Sequence, residues 1–278
     1  MTAILAFLAA AICLLFLWKN IQQRQEAAMR YEQLREEDIQ EEKQNETDVS
    51  EEAERKPAVS GEAETETDAE KKTTLDIPVD FKKLESVNAD IYAWLRVPGT
   101  NIDYPVVQSR TDDTFYAAHG IDRTENIAGA IYSERLNKMD FSDAHTVLYG
   151  HNMRDGSMFA GLHAFEDNSF FGEHREIKVY TADAIRRYKV FAAYRYDDRH
   201  LLKSYNCSNV DIYREYLEEI KKQRSFEAII DTGMELTTDD RILTLSTCHK
   251  AGNDSRYLVQ AVLTEEWLED SVENNIGK

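Results

Sequence analysis

Short runs in which apolar and polar residues alternate fill most of the chain from Leu75 onward, and this pattern predicts a mainly β domain. The runs are rich in β-branched and aromatic residues and are separated by turn signals such as Pro98 followed by Gly99. Few regular helices divide them, so a closed or nearly closed barrel fits better than a parallel sheet wound by βαβ units. We expect eight strands, at residues 91–97, 102–107, 129–133, 146–150, 176–180, 188–194, 241–247 and 256–263.

Helical periodicity in this domain is confined to residues 80–88, 157–165 and 209–223. In the third segment, Ile212, Tyr216 and Ile220 share one face, while Glu and Lys occupy the other. We therefore expect these helices to lie at the periphery of the barrel.

The first 18 residues form an apolar segment without a charged side chain. As a helix they would rise about 27 Å, close to the hydrocarbon thickness of a bilayer. Trp18 and Lys19 follow where the headgroups would begin. A cleaved signal peptide and a buried core helix both fit less well, because no basic residue precedes the segment, no small-residue cleavage site follows it, and a polar stretch comes next. We expect an uncleaved single-pass membrane anchor at residues 1–18.

Residues 19–74 hold 17 acidic and 9 basic side chains. Their first half has helix-forming composition, and their second half has too few apolar residues to fold. We expect a helical and disordered stalk that spaces a globular domain, residues 75–278, from the bilayer. Lys19, Arg24 and Arg30 follow the anchor with no basic residue before it, which mildly favours a cytoplasmic domain.

Charge and cysteine content exclude several classes of protein. The net charge is −19, of which −11 belongs to the domain from residue 75, so nucleic acid is not an expected partner. The three Cys residues share no CxxC spacing, which excludes a zinc ribbon and a disulfide-rich scaffold. No HxH or HExxH spacing occurs either, and no metal or cofactor is expected.

Two predicted strands end in residues whose chemistry is complementary. One leads into Cys248, and another leads into His151, beside Gly150, which leaves room for close backbone approach. Arg256 opens the strand that follows Cys248. A thiolate is a nucleophile, an imidazole can protonate a leaving amine, and a guanidinium can stabilise an oxyanion. If these strands are neighbours, the three side chains meet at one mouth of the barrel.

Taken singly, each of these residues also has a purely structural interpretation. A lone Cys is usually a small buried apolar residue, a His can cap a strand, and an Arg at a barrel rim can pair with a nearby acid. His249 is a rival base, but neighbouring strand residues point to opposite faces. Cys207 is interpreted as an ordinary loop thiol. The remaining histidines, interpreted as surface or packing residues in loops or helices, are His119, His145, His163, His174 and His200.

The motifs around these residues resemble those of the sortase family of Gram-positive surface enzymes. The sequence reads YGHNM at residues 149–153 and TLSTC at residues 244–248, followed by Arg256. The match runs from about residue 81 to residue 263, nearly the whole domain. The details that resemble class B lie at residues 101–108, 151–159 and 209–223.

The resemblance implies an eight-stranded sortase barrel and a cysteine transpeptidase that needs no cofactor. Cys248 would attack the carbonyl after the Thr of a C-terminal sorting signal on a secreted protein, and His151 would protonate the departing amine. Arg256 would hold the substrate carbonyl or the oxyanion. An amine of a peptidoglycan precursor or of a pilin would then resolve the thioacyl enzyme. The resemblance also implies a cell-membrane protein with its catalytic domain outside, against the mild preference of the flanking charges.

Four further residues are candidates for substrate contacts. Ser246 and Thr247 border the nucleophile and could offer a hydroxyl or a backbone N–H, although strand packing also explains them. Asp113 and Tyr116 follow the second predicted strand, where the resemblance implies the substrate groove. Asp113 and Ala117 replace the Asn and Leu that the resemblance leads us to expect, which implies a more open and more acidic pocket. The usual class B signal sequence is therefore not transferred to this chain.

Two other functions remain open at this stage. A thiol peptidase would release the same substrates to water, and a membrane-anchored adhesin would bind without catalysis. Specificity loops determine the sorting motif, the acceptor amine and the choice between wall anchoring and pilus assembly. Their specificity does not follow from the sequence.

Overall fold

The computed structural model describes the β domain and parts of a helix before it. The predicted anchor lies mainly outside the described residues, as does the predicted stalk from residue 34 onward. Within the part of the chain that is described, no helix is both long enough and apolar enough to cross a bilayer. The described residues are 11–15, 18–19, 21–22, 25–26, 29–33, 75–224, 228–248 and 255–269.

Nine strands form a single sheet within the described residues. Eight follow one another in the order β5-β1-β2-β3-β4-β8-β9-β6, and β5 also pairs with β6, which closes the ring. β7 pairs with the second half of β6, outside the ring. The prediction of an eight-stranded closed barrel is confirmed, and only β7 was not predicted. The strands are β1 (Ile91–Val97), β2 (Ile102–Val107), β3 (Ile131–Tyr132), β4 (His145–Tyr149), β5 (Glu176–Thr181), β6 (Ala184–Tyr196), β7 (Ile229–Ile230), β8 (Ile242–Cys248) and β9 (Arg256–Leu268).

The antiparallel strands β6 and β9 extend beyond their predicted ends, and charged residues pair across the extension. Arg186 donates to Glu266 over 2.7 Å, and Arg187 donates to Glu265 over 3.0 Å. Each pair lies directly opposite in the antiparallel register. Charged residues have low strand propensity, so the sequence pattern ends the strands before these positions. Opposite charges on facing strand positions nevertheless stabilise a sheet.

Helices cover the outside of the barrel, as predicted, although residues 157–165 are mostly a 3-10 helix. On α4 the buried residues are Tyr213, Tyr216, Leu217 and Ile220, whereas Ile212 is only half-buried. The apolar stripe is therefore rotated from the predicted one by about one residue. The helices are α1 (Phe81–Val87), α2 (Asn168–Glu173), α3 (Leu201–Ser204) and α4 (Val210–Lys221), with 3-10 helices at Phe115–Ala117 and Phe159–Glu166.

A buried polar network ties α4 to three strands. Gln260 donates from Nε2 to Tyr216 (2.6 Å) and to Thr244 Oγ1 (3.0 Å), and Thr244 Oγ1 lies 2.8 Å from His145 Nε2. Burial lowers the pKa of His145 to about 3, so its ring is neutral and shares a hydrogen bond with Thr244 through Nε2. His145 thus opens β4 as a buried packing residue, and the predicted loop or helix position is wrong.

The helix before the barrel packs against it at Tyr31. The Tyr31 ring is 6% exposed and meets the ring of Tyr104 edge to face, with centroids 5.1 Å apart. Arg30 forms an ion pair with Asp122 beside it. This part of the predicted stalk therefore contacts the barrel.

Candidate active site

Cys248 and Arg256 face each other across the antiparallel pair β8–β9. Cys248 is the last residue of β8, Arg256 is the first of β9, and the register sets them directly opposite. Arg256 donates from Nη1 to Cys248 Sγ over 2.9 Å. The strand ends therefore place a fixed positive charge against the sulfur atom.

The parallel pairing of β4 with β8 brings His151 to the same end of the barrel. Tyr149 pairs with Ser246, and the N–H of Gly150 donates to the Ser246 carbonyl over 3.1 Å. His151 follows Tyr149 by two residues, just as Cys248 follows Ser246. Both side chains consequently project at one level, into a shared cleft.

His151 is oriented by a backbone carbonyl. Its Nε2 lies 2.7 Å from the carbonyl oxygen of Ala117. Because a carbonyl only accepts, Nε2 carries a proton, and Nδ1 of the neutral ring is left as the acceptor. The imidazole can therefore gain and lose a proton at Nδ1 while Nε2 holds the ring in place.

The cleft has a volume of about 170 Å³ and is open to one side of the barrel. Tyr132 and Tyr149 form one wall, with ring centroids 5.4 Å apart. Burial raises the pKa of Tyr132 to about 12 and raises that of Tyr149 as well, so both hydroxyls are neutral. The residues that line the cleft are Ala117, Tyr132, Tyr149, Gly150, His151, Ser246, Thr247, Cys248 and Arg256.

The two tyrosines were not among the predicted site residues. A signal for Tyr149 exists in the sequence, because it precedes His151 by two positions and residues at that spacing share a face of a strand. Tyr132 had no such signal, since it reaches the cleft only through the pairing of β3 with β4.

Ser246 and Thr247 line the cleft, yet both are almost fully buried, at 4% and 2% exposure. Thr247 donates from Oγ1 to the carbonyl of Gly150 over 2.8 Å. That hydroxyl is therefore committed to holding the His151 segment against β8.

Asp113 and Tyr116 are not part of the cleft lining. Arg135 binds Asp113 through its backbone N–H (3.0 Å) and its Nε (2.9 Å), and this hydrogen bonding lowers the pKa of the Asp113 carboxyl. Tyr116 is 1% exposed, and its hydroxyl donates to Asp90 over 2.8 Å. Of this stretch, Ala117 is the residue that reaches the cleft, since Tyr116 turns into the core within the same 3-10 helix.

Other cysteine and histidine residues differ in their surroundings. Burial raises the pKa of the Cys207 thiol to about 12, which makes it unreactive at neutral pH. His163 lies in the 3-10 helix behind the cleft, with Nε2 3.3 Å from the Cys248 carbonyl. His249 lies outside the described residues. Among the residues that are described, no group of three or more His, Cys, Asp or Glu could hold a metal ion.

Comparison with known proteins finds the same family over most of the domain. A family profile described as a sortase domain matches residues 95–264. Sortase B of Listeria monocytogenes is 31% identical over 187 residues, which cover 66% of this chain and 74% of that protein.

Solved structures agree with the sequence comparison. Sortase B of Clostridium perfringens is 32% identical and superposes with a TM-score of 0.60, covering 67% of this chain and all of that one. A substrate complex of sortase B from Staphylococcus aureus is 29% identical, with a TM-score of 0.57, and the match covers 66% of this chain and 84% of that one.

Proposed function

The chain belongs to the sortase family, class B, and is a cysteine transpeptidase; from this premise we propose that Cys248, His151 and Arg256 carry out its reaction. The observation that carries the assignment is the hydrogen bond from Arg256 Nη1 to Cys248 Sγ, in a cleft that His151 shares. A nucleophile, a proton carrier and a fixed cation are the three groups that acyl transfer requires.

In the first half-reaction the Cys248 thiolate attacks the carbonyl carbon of a scissile peptide bond. The C–N bond breaks as the C–S bond forms. His151, protonated at both ring nitrogens while Cys248 is the thiolate, passes its Nδ1 proton to the departing amine and becomes neutral. Arg256 moves its hydrogen bond from the sulfur to the oxygen on which negative charge develops. A thioacyl enzyme and a free C-terminal fragment result.

In the second half-reaction an incoming amine attacks the thioester carbonyl. His151, now neutral, accepts the proton that the amine loses, and the thiolate leaves toward Arg256. The new amide bond forms, and the enzyme returns to its starting protonation state. The cleft needs no cofactor for either step.

We propose that the donor is a secreted protein with a C-terminal sorting signal cleaved after Thr. The sortase family acts on sorting-signal substrates, and the S. aureus relative has been solved with a substrate. The acceptor is an amine of a peptidoglycan precursor or of a pilin. The walls formed by Tyr132, Tyr149 and the backbone at Ser246 and Thr247 would hold the signal peptide, in place of Asp113 and Tyr116.

The cellular location follows from the same proposal. Residues 1–18 would anchor the chain in the cell membrane by one span, and the domain from residue 75 would work outside the cell, where secreted substrates and wall precursors are found. The apolar composition of residues 1–18 supports this proposal.

A peptide-library screen for thioacylation tests the proposed chemistry. The full chain in detergent micelles is incubated with peptides that vary around a Thr, and adducts are detected by mass spectrometry. We expect an adduct on Cys248 with a subset of peptides and none in Cys248→Ala. Cys207→Ala is the matched control, because that thiol is half-buried and does not line the cleft. An adduct that persists in Cys248→Ala would contradict the assignment.

A further inference from the structure

The side chain of Asn152, the residue after His151, reaches the backbone of the nucleophile. Asn152 Nδ2 lies 3.0 Å from the carbonyl oxygen of Cys248 and 2.9 Å from His163 Nε2. A carbonyl only accepts, so the amide nitrogen must point toward it, and its two N–H groups serve the two contacts.

The hydrogen bond from Asn152 to the Cys248 carbonyl extends the β4–β8 ladder by one position beyond the last backbone hydrogen bond. The N–H of Gly150 donates to the Ser246 carbonyl, so the next bond of a parallel ladder would run from the N–H of residue 152 to the carbonyl of residue 248. β4 ends at Tyr149, and the backbone of Asn152 instead pairs with Met158 in an antiparallel bridge. The Asn152 side chain supplies the missing donor.

His163 and Glu166 fix the position of the Asn152 side chain. His163 Nδ1 lies 2.6 Å from Glu166 Oε1, and a carboxylate oxygen accepts the Nδ1 proton. Nε2 faces Asn152 Nδ2 and also lies 3.3 Å from the Cys248 carbonyl oxygen, so the ring contacts both partners. The His163 ring also stacks on Tyr257, with centroids 4.9 Å apart, so its orientation is fixed.

We propose that Asn152, supported by His163 and Glu166, is a positioning residue that holds the Cys248 carbonyl and thereby keeps Sγ against Arg256. The inference rests on the proposed role of Cys248. Without the Asn152 bond the end of β8 has one fewer anchor on its β4 side, just before residues 249–254. Small displacements of a reacting group cost large factors in rate.

The test measures the reactivity of Cys248 directly, without a transpeptidation substrate. The full chain in detergent is treated with a positively charged methanethiosulfonate reagent, and the rate constant for modification is measured from pH 6 to pH 10. Cys248→Ala provides the blank for Cys13 and Cys207. The titratable groups that surround Cys248 are Tyr132, Tyr149, His151 and Arg256.

Asn152→Asp keeps the shape of the side chain but turns an acceptor toward the Cys248 carbonyl. We expect the modification rate at pH 7 to fall about tenfold, because the sulfur atom is no longer held in place against the Arg256 guanidinium. With a peptide from the screen, kcat falls by a similar factor and KM changes less than about twofold.

A pair of substitutions separates positioning from packing. His163→Phe retains a ring that can stack on Tyr257 but removes the acceptor, whereas His163→Gln retains an acceptor near the position of Nε2. We expect His163→Phe to lose about threefold in modification rate at pH 7 and His163→Gln to stay within about twofold of wild type. Asn101→Asp is the matched control, since Asn101 donates to the carbonyl of Gly156, in the loop that also carries Asn152.

Wild-type modification rates and kcat in folded Asn152→Asp would overturn the inference, as would an equal loss in Asn101→Asp. If Asn152→Asp fails to fold, equal rates in His163→Phe and His163→Gln would overturn it. A wild-type Cys248 that reacts no faster than the blank would instead contradict the proposed function.

Discussion

Cys248 takes its chemical character from the residues around it. Arg256 touches its sulfur, Asn152 holds its carbonyl, and Thr247 binds the segment that carries His151. The other described cysteines lack this setting, because Cys207 is half-buried with a raised thiol pKa and Cys13 is exposed. Cys248 therefore differs from Cys207 and Cys13 in its surroundings and not in its side chain.

The role of Arg256 is tested by removing its charge while keeping its length. Arg256→Met loses the Nη1 donor that would serve the oxyanion, and we expect the rate of thioacylation to fall by about 10²–10³-fold. Arg256→Lys keeps a charge without the planar fork and should lose less. Thermal unfolding serves as the folding control. Arg256→Met that retains more than half of the wild-type rate would contradict the role.

The meeting of Cys248, His151 and Arg256 at one end of the barrel could be predicted, because residue types and strand ends are local features of a sequence. Cys248, His151 and Arg256 each adjoin an apolar run with strand character. The Ala117 carbonyl that orients His151 could not be predicted, since it reaches the site from a 3-10 helix 34 positions earlier in the chain. Tyr116 was assigned to substrate binding and lies in the core, because nothing local shows which residue of a 3-10 turn points inward.

At the scale of elements, the parallel pairing of β4 with β8 brings His151 to the same end of the barrel as Cys248. Gly150 is required at the end of β4, because a Cβ there would lie 2.5 Å from Ile131 Cδ1 and 2.8 Å from the Phe159 ring. The strand ends themselves could be predicted from the sequence, whereas the order β4-β8-β9 depends on long-range pairing that periodicity does not encode.

Gly150→Ala tests this packing requirement. The added methyl group forces β4 away from Ile131 or Phe159, and we expect a loss of about 1–3 kcal/mol in the free energy of unfolding. Thioacylation should fall as well, because His151 follows directly. Denaturant unfolding measures the effect. In the control Gly172→Ala, a Cβ meets nothing within 4 Å, and a helical position favours Ala. Equal stability of the two variants would contradict the account.

The buried network at the start of β4 predicts how stability depends on pH. His145 stays neutral in the folded barrel down to about pH 3, whereas the unfolded chain protonates it near pH 6.5. The unfolded state therefore binds the extra proton between these values, and folding stability falls as the pH drops through this window.

His145→Gln removes that titration. We expect the free energy of unfolding of the wild type to fall relative to the variant by about 1.4 kcal/mol per pH unit below about pH 6. Urea unfolding at several pH values measures the difference, in which the contributions of all other groups cancel. If the free energy of unfolding depends on pH in the same way in both proteins, His145 is not buried in its neutral form.

At the scale of the whole molecule, a closed barrel is joined to a helix that carries Tyr31. The mainly β class and the closed ring of eight strands could be predicted from alternating patterns, because exposed sheet edges are unfavourable. The packing of Tyr31 against Tyr104 could not, since a polar helix-forming segment carries no signal of its docking site.

Tyr31→Ala tests whether the helix is docked in solution. Loss of the buried ring should raise the amide hydrogen exchange of residues 29–33 by at least about tenfold, while exchange in β8 and β9 stays unchanged. Met29→Ala is the matched control, because Met29 is 58% exposed on the same helix. Equal exchange of residues 29–33 in the wild type and Tyr31→Ala would contradict docking.

The most direct test of the central claim is the fate of the thioacyl intermediate. The full chain is supplied with a peptide selected in the screen, with and without an amine such as a peptidoglycan stem peptide or a pilin lysine peptide, and the products are weighed by mass spectrometry. The account predicts a new amide between peptide and amine, formed at the expense of hydrolysis and absent in Cys248→Ala. Hydrolysis that proceeds at the same rate and to the same product whatever amine is present would contradict it.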